Sequence, residues 1–342
     1  MKPEQRILFF ADAGAEVGGG HVMRCLTLAA GLTRKGAVCA FAATPAAASV
    51  LEIFAGAQFE RLPLEEGEPA RLAERISGHV RDWGARGLVL DHFGFRPEDE
   101  ATARGGAHRV MVLDDLKRSH LCDLVLDSNL DRTAEDYPGL DALIGPDFAL
   151  VRGEFAEHRA TVLGRRKMSG PVRRVQVALG LTDVGGITGR VVETILPLLD
   201  GSVLDVVVGG RSSSLAKLKA IGAGTDRMTL HIDSLKMARL TEAADLAIGA
   251  GGSSVWERCC LGLPGLIIVL ADNQRDAARA LGARGAALVL NASEPEFERR
   301  LAETFVSLVD APAAIAHMSL AAAAICDGRG AERVAERFLS LL

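Results

Sequence analysis

The sequence predicts an α/β protein of two doubly wound, Rossmann-like domains with a central cleft. Three observations carry that expectation. The 342 residues exceed what one typical core organises. Short apolar runs alternate with helical stretches, pause at a polar break, and then alternate again. In each series a strand runs into a glycine cluster that opens a helix, first at Gly18–Gly20 and again at Gly249–Gly252.

In chain order, Ile7 to Ala11 is a buried strand, and Leu26, Ala29, Ala30 and Leu32 recur at helical spacing just after the first glycine cluster. Further strands are expected at Val38–Ala43, Phe59–Leu62, Leu88–Asp91, Val110–Asp114, Leu124–Asp127 and Ala142–Ile144. Continuous apolar runs that end in Asp fit parallel strands buried on both faces, whose C-terminal edge forms a site. Residues 159–174 are polar and hold Gly164, Gly170 and Pro171 without an apolar period, which reads as a linker. The arginine and lysine runs there, Arg165-Arg166-Lys167 and Arg173-Arg174, read as a solvated hinge rather than a ligand site. The pattern restarts with strands at Val175–Leu179, Leu204–Val208, Met228–Ile232, Leu246–Ile248, Leu266–Leu270 and Ala286–Leu290, and is helical from Glu294 onward. The expected domains are 1–158 and 171–328, with a final helix over 329–342 packing back on the first.

Composition narrows the function classes. Hydrophobic residues at 49% and charged residues at 24% describe a globular chain. A net charge of −5 without a basic block argues against nucleic acid as a partner. No long uncharged apolar stretch and no leader pattern are present, so neither a membrane partner nor export is expected and the location expected is the cytoplasm. The six cysteines are scattered without a C-x-x-C pair and read as reduced core thiols, not a metal site. Oligomeric state is not legible.

Chemistry concentrates in two loops. Gly18, Gly19 and Gly20 remove the Cβ atoms from the first strand-to-helix turn, so backbone N–H groups can approach an anion. His21 follows on the first helical turn, where the positive end of the helix dipole favours the neutral imidazole that accepts a proton. His21 is therefore the candidate catalytic base, against a plain capping or core histidine. Arg24 stands one turn on, as a partner for phosphate or carboxylate. Asp12 is placed to orient His21 or hold a sugar hydroxyl; Asp91, Asp114 and Asp115 offer the same, or cap the helices after them. In the second loop, the Gly251 and Gly252 amides suit a pyrophosphate, with the Ser253 and Ser254 hydroxyls as added donors. Glu257 is one turn in, placed to accept from ribose hydroxyls, and Asn273-Gln274 offers further donors at the same edge. Neither loop is a Walker loop or a dinucleotide fingerprint, for want of Gly-Lys-Ser/Thr and of a third spaced glycine.

These motifs resemble the PseG family of nucleotide-sugar hydrolases, relatives of MurG-type GT-B glycosyltransferases. Gly18-Gly19-Gly20-His21-Val22-Met23-Arg24-Cys25-Leu26-Thr27-Leu28-Ala29 is similar to the family's G-x-G-H-x-x-R-C-L-x-L-A signature. Leu113-Asp114-Asp115-Leu116, Cys122-Asp123, Asn129, the stretch Leu143 to Phe155, Gly251 to Glu257 and Asn273-Gln274 match in order along nearly the whole chain. The chain departs at Leu181, Val184 and Gly186, where the family tends to have glycine, proline and asparagine. The resemblance implies UDP-2,4-diacetamido-2,4,6-trideoxy-β-L-altrose as substrate, His21 as general base, inversion at the anomeric carbon, and no metal or cofactor. Two other readings stand beside it: a GT-B glycosyltransferase with a non-water acceptor, and a non-catalytic UDP-sugar binding subunit.

Overall fold

Strands of three to six residues, most of them apolar runs too short for a helix of the usual length, form two all-parallel sheets, one per unit. The computed structural model describes residues 4–14, 17–166 and 170–342. Two units divide at 150/151 and 328/329, so residues 329–342 return to the first.

The first unit runs β1 (Arg6–Ala11), α1 (Gly20–Arg34), β2 (Val38–Ala43), α2 (Pro45–Ala55), β3 (Glu60–Pro63), α3 (Pro69–Trp83), β4 (Gly87–Asp91), α4 (Pro97–Arg104), β5 (Arg109–Leu113), β6 (Leu124–Asp127) and β7 (Ala142–Ile144). Its sheet order is β3-β2-β1-β4-β5-β6-β7. The order reverses between β1 and β4, which pair in parallel from Ile7–Gly87 to Ala11–Asp91. That reversal opens a crevice beyond the strand ends, the usual ligand position in such sheets.

The second unit holds α5 (Gly153–Arg166), β8 (Arg174–Ala178), α6 (Ile187–Ile195), β9 (Val203–Val208), α7 (Leu215–Ala223), β10 (Met228–Ile232), α8 (Met237–Ala243), β11 (Leu246–Ala250), α9 (Ser254–Cys260), β12 (Gly265–Val269), α10 (Arg275–Ala283), β13 (Leu288–Asn291), α11 (Phe297–Val309) and α12 (Pro312–Ile325). Its sheet order is β10-β9-β8-β11-β12-β13, with the reversal between β8 and β11. Every residue of β11 and β12 is buried, which accounts for runs with no polar alternation.

The last helix, α13 (Gly330–Leu341), belongs to the first unit. Its Val334, Ala335 and Phe338 share a core with Leu28, Ala29 and Leu32 of α1. Two glycines permit this. A Cβ on Gly330 would lie 2.5 Å from the Ala149 nitrogen, and one on Gly87 would lie 3.1 Å from the Phe338 ring.

The expected polar linker over 159–174 is corrected in part, because α5 continues to Arg166. Its Arg159 and Arg166 are half-buried rather than solvated, while Arg165 stays exposed. Arg166 donates to the carbonyls of Leu261, Ala244 and Thr241, Arg165 to that of Glu242, and Arg159 to those of Cys260, Cys326 and Ala323. A helix whose long cations reach neighbouring carbonyls looks like a charge run in sequence. Lys167 lies outside the described residues. The segment expected to be helical from Glu294 onward forms three helices, broken before Pro312 and around Gly328, whose φ is +81°, the last of them the expected final helix. No single helix among the described residues is long and apolar enough to cross a membrane.

Candidate active site and the second glycine loop

In the first unit the chain leaves β1, passes Asp12, and turns into α1. Gly18 makes that turn: its φ is +79°, and it exchanges hydrogen bonds with Gly14, donating to its carbonyl at 2.8 Å. Gly19 precedes the helix and accepts from Met23 N–H at 3.1 Å, while Gly20 is already helical. His21 thus falls on the first turn and is 7% exposed. Its ring meets Phe93 edge-on, with centroids 4.5 Å apart. Buried Nδ1 faces Asp91 Oδ1 at 3.3 Å, an ion-pair distance without the alignment of a hydrogen bond. Such contacts are often long before substrate binds. Nε2 is the ring nitrogen left uncommitted among the described residues.

Asp91 ends β4 and is fully buried. It receives Arg24 in bidentate fashion, Nε on Oδ2 at 2.6 Å and Nη2 on Oδ1 at 2.7 Å. The third guanidinium nitrogen of Arg24 donates to Asp115 Oδ2 at 2.7 Å. Burial alone would raise the pKa of Asp91; the charges of Arg24 and then His21 outweigh it and hold the carboxyl below the usual range. Arg24 gains correspondingly: burial opposes its charge, but Asp115 and Asp91 push its pKa well above the ordinary value.

A second histidine sits beside this group. His92 follows Asp91, stacks on Phe10, and accepts from Gly94 N–H through Nδ1 at 2.9 Å. That bond places the ring proton on Nε2, 3.7 Å from Asp12 Oδ2. Burial lowers the pKa of His92, favouring the neutral ring. Arg118 fixes the loop that carries His92 and Phe93. It donates to the carbonyls of Phe93 and Phe95 at 2.7 and 3.1 Å and to Asp114 Oδ1 at 2.8 Å.

Behind the strand ends lies a buried polar network. Tyr137 bridges Asp114 at 2.9 Å and Asp127 at 2.8 Å, and Arg132 binds Asp127 at 2.9 Å. His120 lies between Glu100, 2.7 Å from Nδ1, and Asp114, 3.4 Å from Nε2. Burial would lower the His120 pKa, but the bonds to Asp114 and Glu100 raise it to about 9. Asp114 and Asp127 also accept the backbone N–H groups of Arg118 and Asn129, capping turns rather than helices.

In the second unit β11 runs through Gly249 and Ala250 into Gly251-Gly252-Ser253, and α9 begins at Ser254. The backbone N–H groups of Gly252, Ser253 and Ser254 have no partner among the described residues. Glu257 is held by Arg152 in bidentate fashion at 2.7 and 2.9 Å. Burial opposes the charge of Arg152, and Glu257 raises its pKa above the ordinary value. Ser254 Oγ accepts from Arg258 Nη1 at 3.2 Å, which leaves its own proton free to donate. The adjacent Gly180–Gly186 loop is tied by Asp183, which takes donors from Thr188, Ser212 and Ser214 at 2.8–2.9 Å. Burial would raise the pKa of Asp183, and these bonds lower it.

Several expectations change on this geometry. Asp12 does not orient His21; its backbone N–H bonds the Asp91 carbonyl, its side chain lies toward His92, and Asp91 takes the place beside His21. Arg24 is occupied by carboxylates of its own chain. Gly251 N–H is not open to a phosphate, because Gln274 Oε1 accepts it at 3.3 Å and Leu270 N–H at 3.1 Å. Gln274 therefore acts first as an acceptor that ties two loops, while Asn273 is exposed at the same edge. Glu257 meets a guanidinium rather than standing open. Sequence reasoning missed His92, Arg118, Tyr137, Arg152 and Arg258 as parts of these sites. Only His92 carried a signal, its place directly after the strand-ending Asp91.

Residues 190–337 match the glycosyltransferase family 28 C-terminal domain. The UDP-2,4-diacetamido-2,4,6-trideoxy-beta-L-altropyranose hydrolase of Campylobacter jejuni subsp. jejuni is 23% identical over 286 residues, 82% of this chain and 97% of that one. Among solved structures, Acinetobacter baumannii MurG superposes with a TM-score of 0.70 at 16% identity, over 99% of this chain and 100% of that one. The UDP-GlcNAc 2-epimerase of Neisseria meningitidis, bound to UDP-GlcNAc, gives 0.69 at 10% identity, over 98% and 99%. The two parallel-sheet units are those of the GT-B fold. The relative, the domain match and the fold together fit a PseG-like family.

Proposed function

We propose that the chain hydrolyses a UDP-linked 2,4-diacetamido-2,4,6-trideoxy sugar to UDP and free sugar, as a step toward pseudaminic acid. The observation that carries the reading is His21. It is held at the strand edge with Nδ1 toward a buried carboxylate and Nε2 uncommitted. An imidazole so oriented by a carboxylate is a general base. In the reaction, Nε2 of His21 takes a proton from water as the water oxygen attacks the anomeric carbon. The bond from that carbon to the diphosphate oxygen breaks, its electron pair leaves with UDP, and the configuration inverts. The proton then passes from His21 to solvent. The N–H groups of Gly252, Ser253 and Ser254, with the Ser254 hydroxyl, meet the diphosphate charge, so no protein acid is needed at the leaving oxygen. Glu257 and Asn273 stand for the nucleoside side of the second unit's loop, and Asp12 for a sugar hydroxyl at the first unit's strand edge. The relative named a hydrolase, aligned over 97% of its own length, supports water as the acceptor.

A glycosyltransferase is the second reading, favoured by the family 28 domain match. One experiment separates the two. An NMR time course with the UDP-sugar and no acceptor shows the anomeric signal of free sugar, inverted, if the hydrolase reading holds. An absence of turnover until an alcohol acceptor is added favours the transferase.

A further inference from the structure

Arg258 is a cation buried without a counter-ion directly beneath the second glycine loop. The residue is 7% exposed. Nη2 donates to the Ala250 carbonyl at 2.7 Å and Nη1 to Ser254 Oγ at 3.2 Å. No carboxylate among the described residues lies within ion-pair distance of it. The neighbouring Glu257 is engaged by Arg152 through both oxygens. Backbone and side chain have been fitted to the guanidinium. A Cβ on Gly249 would stand 2.6 Å from its Cζ, so any larger residue at that strand position would displace the guanidinium. Burial lowers the pKa of Arg258, and the charge of Glu257, which lies beyond ion-pair distance, only partly offsets it. Arginine remains protonated nonetheless.

A buried, unpaired charge costs stability. It also sets up a positive potential that a carbonyl and a hydroxyl do not cancel. The loop above it presents three unpartnered N–H groups and the Ser254 hydroxyl, whose oxygen is already occupied by Nη1. All of these are complementary to anionic oxygens.

We propose that Arg258 is a positioning residue for the diphosphate of a nucleotide: it fixes the Ser254 hydroxyl as a donor and supplies a buried positive charge under the loop. The inference rests on the nucleotide reading of this loop given above and adds a residue to it. It gives Arg258 a cost in the free protein that a diphosphate relieves and a bare nucleoside does not.

Binding of UDP and of uridine to the full chain, measured by calorimetry and by NMR titration, tests this together with the melting temperature of each variant. Arg258→Met is expected to bind UDP at least about tenfold more weakly. It should bind uridine within about twofold of the natural chain, and melt no lower when unliganded. Arg258→Lys keeps the charge and is expected to recover part of the UDP affinity; it also serves if the methionine variant fails to fold. Equal UDP affinity in natural chain and folded variants, or equal losses for UDP and uridine, would overturn the proposal. A natural chain that binds neither compound would instead remove the nucleotide reading of the loop, and this inference with it.

Discussion

Asp91 Oδ1 lies 3.3 Å from Nδ1 of His21, and the same buried carboxylate takes both Nε and Nη2 of Arg24. The carboxylate that faces the imidazole is thus itself fixed by a guanidinium, which Asp115 fixes in turn. Side chains anchored in this way hold a base in one rotamer and one tautomer.

Asp91→Asn should keep the fold and lose activity. The amide is nearly isosteric but carries no charge to stabilise a protonated His21, and it can present N–H₂ to Nδ1, favouring the wrong tautomer. A fall in kcat of about 100-fold or more is expected, with KM changed little. Steady-state kinetics with circular dichroism checks it; a KM effect alone would place Asp91 in binding instead.

The pair Arg152–Glu257 is expected to contribute through its two parallel hydrogen bonds. A double-mutant cycle with Arg152→Ala and Glu257→Ala should give a coupling of about 1–2 kcal/mol by denaturant unfolding. Glu257→Ala should also weaken UDP binding by roughly tenfold, as loss of a hydrogen-bonded charge does. Purely additive single losses would show that the pair is incidental.

His120 makes stability depend on pH. Its pKa is raised to about 9 by the bonds to Asp114 and Glu100, against about 6.5 in an unfolded chain. The folded state therefore holds a proton that the unfolded state releases first. The resulting stabilisation is complete below about pH 6.5 and is lost as pH climbs to about 9, amounting to about 3 kcal/mol at most. Chemical denaturation between these limits should show a falling stability in the natural chain and a flatter profile in His120→Gln. Identical profiles would mean that His120 is neutral in its pocket.

Two helical glycines should respond in opposite directions. A Cβ on Gly330 meets the Ala149 backbone, so Gly330→Ala should cost about 1–3 kcal/mol. Gly78, inside α3 with nothing within 4 Å of its Cβ position, should gain about 0.5–1 kcal/mol as alanine. Thermal or denaturant unfolding reads both. A destabilised Gly78→Ala with an unaffected Gly330→Ala would contradict the packing described for α13.

The fold was legible because parallel strands buried on both faces must be continuous apolar runs, and glycine clusters mark the turns at their ends. Gly18 and His21 could be found that way. Asp91 could be nominated from its strand end but not chosen over Asp12, because the choice depends on which strand neighbours β1, and β1 pairs with β4 across a long stretch of sequence. Arg152 was hidden for a related reason, lying 105 residues from Glu257. Arg166 was misread because a cation that reaches buried carbonyls has the same letter as one in water. The role of Gln274 turned on one amide oxygen and its two N–H donors, which no spacing rule encodes.

The most direct measurement is UDP release from the UDP-linked diacetamido sugar by the natural chain and by His21→Ala, each verified as folded. The account predicts turnover by the natural chain and a loss of about 100-fold or more in kcat for the variant, the scale of general-base catalysis. Undiminished turnover by His21→Ala would contradict it.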